Sequence, residues 1–146
     1  MNLTYAICLL LLASFASSFS PISFSRVLRP TTSLSSSPEL DDVTKDRIEK
    51  LVNENKVFLF MKGNKVFPQC GFSNTACRIL SAINAEFETF NVLEDESMRS
   101  GIKAYSSWPT IPQLYVGGEF IGGTDIMIEM FQNGELAEMI EVQSAS

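Results

Sequence analysis

Cys70 is the residue on which chemistry would centre. It stands in the stretch Phe67-Pro68-Gln69-Cys70-Gly71-Phe72-Ser73. A disulfide-exchanging C-x-x-C motif would carry a second, resolving thiol three residues on, but Ser73 occupies that position and cannot form a disulfide. Cys70 falls where an amphipathic helix should begin. The unpaired N–H groups and dipole of that first turn favour a thiolate. Lys62, on the preceding loop, adds positive charge. A thiolate so placed has two uses, as a nucleophile or as a metal ligand. The chain has no histidine, so neither a histidine base nor a histidine ligand is available.

The other two cysteines, Cys8 and Cys77, are of another kind. Cys8 lies inside an N-terminal apolar run. Cys77 is seven residues past Cys70, among Ala76, Ile79 and Leu80, and reads as a small buried hydrophobe. A bond between Cys70 and Cys77 is the alternative. Two helical turns span about 10 Å, and α-carbons more than about 7 Å apart cannot be bridged without unwinding. Three cysteines also make a poor disulfide framework and match no zinc spacing.

Two further stretches are dense in signal. In Trp108-Pro109-Thr110-Ile111-Pro112 the last proline immediately precedes a strand. It is either an ordinary turn proline or a cis proline that presents backbone groups. Gly122-Gly123-Thr124-Asp125 opens a helix, where free N–H groups bind carboxylates or phosphates. Asp125 is a helix cap or an ammonium ligand, and the local pattern favours the cap.

The elements that must position these residues follow from periodicity. Asp41–Asn53 carries a helical apolar stripe, Lys56–Met61 reads as a buried strand, and a helix begins after Cys70. Phe87–Val92 alternates as a strand, and Asp95–Tyr105 is amphipathic and helical. Gln113–Val116 and Glu119–Ile121 flank Gly117-Gly118 as a hairpin, and Asp125–Val142 is helical with a break at Asn133-Gly134. The order α-β-α-β-α-β-β-α predicts one mixed sheet with helices on both faces.

Residues 1–38 differ in kind. They hold no acid and two of the 11 basic residues, Arg26 and Arg29; the remainder carries all 17 acids against nine basic residues, a balance of −8. That acidity, like the −6 of the whole chain, argues against a nucleic-acid binder. Tyr5–Ala16 is too short for a membrane span but fits the apolar core of a secretory signal, although no basic residue precedes it. Phe19–Ser37 is hydroxylated, weakly basic and acid-free, as transit peptides are. The division is therefore a presequence, signal-like over 1–18 and transit-like over 19–38, and a globular domain over 39–146. A membrane anchor is the competing reading of the apolar run. The two-part pattern resembles the presequences of plastid proteins in algae whose plastids lie inside extra membranes. Plastid targeting is expected, with the mitochondrion second and no membrane association once the presequence is removed.

Taken together, MKGNKVFPQCGFSN, FNVLEDESMRSGIKAYSSWPTIPQLYVGGEF and GGTDI closely resemble the monothiol glutaredoxins with a CGFS active site, from about Leu40 to Ile140. The resemblance implies a thioredoxin fold, a four-stranded mixed sheet flanked by helices. It implies that Cys70 ligates a [2Fe–2S] cluster shared by two protomers, the remaining thiolates coming from the second Cys70 and two glutathiones. It assigns Lys62, Arg99 and Lys103 to the carboxylates of glutathione or to neighbouring charge, and the backbone of Ile111 to its cysteinyl unit. It assigns the backbone of Thr124 and the carboxylate of Asp125 to the γ-glutamyl end, against the cap reading of Asp125. Many members have cysteine where Thr124 stands, so a disulfide from that position to Cys70 is not available here.

Two functions follow from the resemblance. In one the protein is an iron–sulfur carrier, and its partners are a second copy, a BolA-type protein and apo iron–sulfur proteins. In the other it is a glutathione-dependent oxidoreductase acting through Cys70 alone, which Ser73 does not prevent. The carrier is favoured, because CGFS members are weak in the exchange reaction. A redox-inert adaptor would need a vestigial site, and the retained Lys62, Arg99, Trp108–Pro112 and Asp125 argue against it.

Overall fold

The computed structural model describes residues 40–145. The targeting readings for residues 1–18 and 19–38 lie outside the described residues. Nine elements follow in order: α1 (Asp42–Glu54), β1 (Val57–Met61), α2 (Gly71–Ala82), β2 (Glu88–Asn91), α3 (Glu96–Ser106), β3 (Gln113–Val116), β4 (Glu119–Gly122), α4 (Thr124–Asn133) and α5 (Glu135–Ala145). The expected order holds. The last expected helix is two, because Gly134 takes a left-handed φ of 89° and ends α4.

The four strands form one mixed sheet in the order β2-β1-β3-β4. β1 pairs in parallel with β2 and antiparallel with β3; β3 pairs antiparallel with β4. The β3–β4 turn uses Gly117 and Gly118 at φ 58° and 85°, which a tight two-residue hairpin requires and side-chain-bearing residues resist.

β1 is buried at every position, because both faces of the sheet are covered. Val57, Leu59 and Met61 pack with Leu114, Val116 and the apolar faces of α2, α4 and α5. Phe58 and Phe60 pack on the other side with Tyr115, α1 and α3. Asp41 and Asp95 cap α1 and α3 by accepting backbone N–H bonds from Thr44 and Met98. Arg47 also pairs with Asp95 at 2.8 Å, tying α1 to the start of α3. The site-bearing ends of β1, β3, α2, α3 and α4 are thereby fixed to one frame.

Candidate functional site

The loop from Lys62 to Gln69 folds back on itself. Gln69 N–H donates to Lys62 C=O at 2.9 Å, and the Asn64 side-chain oxygen accepts from Val66 and Phe67 N–H at 3.0 and 2.8 Å. Asn91, at the end of β2, accepts from Gly63 N–H at 2.8 Å. The loop is thus tied at its base and at its tip, and it delivers Cys70 as the N-cap residue of α2.

Cys70 is partly exposed, and no side chain caps the helix in its place. Burial pushes its thiol up. The backbone N–H groups of Ser73 and Phe72, the Lys62 charge and the Ser73 hydroxyl outweigh that, so the thiol sits below the ordinary cysteine value. Cys77 is buried, its sulfur 3.6 Å from that of Met61, and burial pushes its thiol up. The reading of Cys77 as a small core hydrophobe is the observed one.

Lys62, Cys70, Arg99, Lys103, Ile111, Thr124 and Asp125 all line one cavity of about 400 Å³. Every site residue expected from the sequence is in that set. Arg99 and Lys103 are four apart on α3 and so share a face. Arg99 is paired with Glu96 at 3.0 Å, whereas Lys62 and Lys103 have no ion-pair partner among the described residues. The Ile111–Pro112 bond is cis, the second of the two readings of that proline. The cap reading of Asp125 is corrected: the N-cap of α4 is Gly123, and Asp125 is an exposed first-turn acid at the cavity. It stays free because the chain enters the helix two residues earlier than a cap at Asp125 needs.

Two residues, Ser73 and Gln113, and the side chain of Thr124, expected only through its backbone, act here beyond the expected set. Ser73 is fully buried and accepts Lys62 N–H at 3.1 Å. The Thr124 hydroxyl donates to Phe72 C=O at 3.3 Å, joining the starts of α2 and α4. Gln113 is fully buried and holds the Trp108–Pro112 segment by its carbonyls. The one available signal was the polar residue opening an otherwise apolar strand. Around Cys70, Val66, Phe67 and Phe72 are 74%, 72% and 63% exposed.

Among the described residues no group of three or more His, Cys, Asp or Glu could hold a metal. What the cavity offers is one thiol whose ionisation is favoured, the cations Lys62, Arg99 and Lys103, the backbone of Trp108–Pro112 and the start of α4.

A glutaredoxin family profile matches residues 57–121. A ycf64-like monothiol glutaredoxin of Synechocystis is 62% identical over 103 residues, which are 70% of this chain and 96% of that protein. The chain belongs to the monothiol glutaredoxins. The chloroplastic monothiol glutaredoxin S14 of Arabidopsis thaliana is 55% identical over 114 residues, 78% of this chain and 66% of that protein. The solution structure of reduced poplar apo GrxS14 superposes with a TM-score of 0.63 at 55% identity, covering 70% of this chain and 94% of that one. The fold of this glutaredoxin is accordingly the expected thioredoxin fold. Its family acts in glutathione-dependent redox processes, and Cys70 is the thiol of its CGFS motif. The Synechocystis relative consists almost wholly of the matched segment, so the domain exists there as a free-standing chain.

Proposed function

We propose that this glutaredoxin carries a [2Fe–2S] cluster as cargo between two copies of itself and hands it to apo-proteins. The observation that carries the reading is Cys70: one partly exposed thiol, its ionisation favoured, beside a cation-lined cavity, the one other cysteine among the described residues, Cys77, being buried. A cluster needs four thiolates in such a setting. One chain supplies one, a second copy another, and two glutathiones the rest. The donor set fits this division, since no cluster of ligating side chains exists within the described residues. Lys62 and Lys103, without an ion-pair partner among the described residues, suit the carboxylates of glutathione, and Arg99 joins them by leaving Glu96. The Ile111 backbone offers strand-like pairing to the peptide, and the start of α4 with Asp125 suits its α-amino acid end. Exposed Phe67 and Phe72 beside Cys70 give a second protein something apolar to cover. A BolA-type protein and apo iron–sulfur proteins are the proposed partners, and a plastid the proposed compartment, in keeping with the chloroplastic S14 relative.

The test is a visible absorption spectrum of residues 39–146 after anaerobic reconstitution with iron, sulfide and glutathione. Charge-transfer bands on a dimer, absent in Cys70→Ser and without glutathione, are expected. A colourless monomer would sink the carrier reading.

The lowered Cys70 thiol favours a second reading, glutathione transfer. The Cys70 thiolate attacks the glutathione sulfur of a protein mixed disulfide; the protein thiolate leaves and a Cys70–glutathione disulfide forms. A second glutathione thiolate attacks that bond, releasing oxidised glutathione and restoring the Cys70 thiolate. Rapid turnover by the colourless monomer would select this reading.

A further inference from the structure

Gln113 is the first residue of β3, directly after Pro112, and its side chain is fully buried. Strand alternation puts it with Tyr115 on the face that holds Phe58 and Phe60, opposite Leu114 and Val116. A primary amide in that apolar surrounding is costly unless each of its groups is bonded. Here it is bonded almost entirely back to one segment. Its Nε2 donates to Trp108 C=O at 3.0 Å and to Thr110 C=O at 3.1 Å, and its Oε1 accepts from the Tyr115 hydroxyl at 3.4 Å.

Packing alone does not call for an amide here. An apolar side chain of similar length would fill the same space, but it would strand the Trp108 and Thr110 carbonyls and the buried Tyr115 hydroxyl. What the amide adds is a fixed spacing between two carbonyls that precede Ile111. The other end of the segment is held separately: Trp108 N–H donates to Lys103 C=O at 3.1 Å and to the Ser106 hydroxyl at 3.2 Å. Trp108 is thus gripped at both its N–H and its C=O. Trp108, Pro109, Thr110, Ile111 and Pro112 all line the cavity beside Cys70, and Gln113 does not.

We propose that Gln113 is the positioning residue of this site: it sets the Trp108–Ile111 backbone strip against which a tripeptide thiol lies. It touches neither that ligand nor the Cys70 sulfur and acts only through the strip. The inference rests on the glutathione reading given above. A residue of this kind governs how well glutathione binds and leaves the chemistry of the bound thiol alone. Its loss raises KM and Kd for glutathione and leaves kcat and the Cys70 ionisation where they were.

The experiment uses residues 39–146 with reduced glutathione as the probe, titrated calorimetrically, for wild type, Gln113→Met and Gln113→Glu. Met keeps length and removes the amide; Glu keeps shape and the acceptor but leaves at most one O–H donor for the two carbonyls. Both variants are expected to bind glutathione about tenfold more weakly, roughly the loss of one buried hydrogen-bonded pairing. KM for a glutathionylated peptide should rise in step, with kcat and the 240 nm thiolate titration of Cys70 unchanged. Folded variants that bind as wild type does would overturn the proposal. In wild type, the Gln113 side-chain amide resonances should shift and exchange more slowly with saturating glutathione. If they do neither, the proposal fails whether or not the variants fold. Wild type that does not bind glutathione at all removes the underlying reading and this inference with it.

Discussion

The Ser73 hydroxyl accepts the backbone N–H of Lys62 at 3.1 Å, across the mouth of the loop that carries Cys70. The residue that replaces a resolving thiol is therefore a buried bracket between the end of β1 and the first turn of α2. It also lowers the Cys70 thiol, together with the neighbouring N–H groups and Lys62, against the upward push of burial. We predict that Ser73→Ala costs about 1–3 kcal/mol, since it strands the part-buried Lys62 N–H. It should also raise the Cys70 midpoint. Urea unfolding and the 240 nm titration check the two effects. An unchanged midpoint would mean that the hydroxyl serves only the fold.

The two described cysteines should separate by pH. Cys70 ionises more readily than an ordinary thiol and is partly exposed; Cys77 ionises less readily and is buried. Alkylation by iodoacetamide needs the thiolate. The Cys70 rate should therefore climb with pH and level off at a lower pH than for a free cysteine. Lys62→Gln should move that rise to higher pH, because it removes a charge that favours the thiolate. Peptide mass spectrometry reads both sites. Labelling of Cys77 in the native protein at a rate near that of Cys70 would contradict the assignment.

Gly123 has no side chain because Trp108 is in the way. A Cβ there would lie 3.2 Å from Trp108 Nε1. Gly123→Ala should push the indole by a few tenths of an ångström and cost about 1–3 kcal/mol, as overpacking does. Trp108 is the one tryptophan of the chain, so its fluorescence reports the shift directly. An emission maximum and melting temperature equal to wild type would show that the contact yields freely.

Phe72 is 63% exposed beside the active thiol. Phe72→Ser should change stability by no more than about 0.5 kcal/mol, the usual range for a surface site. If a second copy covers this face in the cluster-bound dimer, the same change should weaken that dimer several-fold. Thermal melts and sedimentation of the reconstituted protein give the two numbers. A destabilised monomer with an intact dimer would place Phe72 in the fold instead.

Much of this was legible in the chain. Local periodicity and turn chemistry act over a few residues, so the element order, the Gly117-Gly118 hairpin and the break at Gly134 could be read directly. Strand ends could not. β2 runs from Glu88 to Asn91, inside the expected Phe87–Val92, because its partner β1 offers register only from Phe58 to Met61. The N-cap of α4 was likewise decided by where β4 stops, which left Asp125 free. The chemistry of Cys70 and Lys62 was visible because thiol and charge are properties of residue type, whereas Arg99, Lys103 and the choice of the ligand reading for Asp125 came only with the resemblance to the family. What only tertiary structure decided was how that chemistry is held. Ser73 to Lys62 and Thr124 to Phe72 are contacts 11 and 52 residues apart, and no pattern along the chain encodes them. Gln113 shows the same division at one residue. Alternation gives the face of the strand, but only the packed sheet decides that this face is buried, and burial turns the amide back onto Trp108 and Thr110.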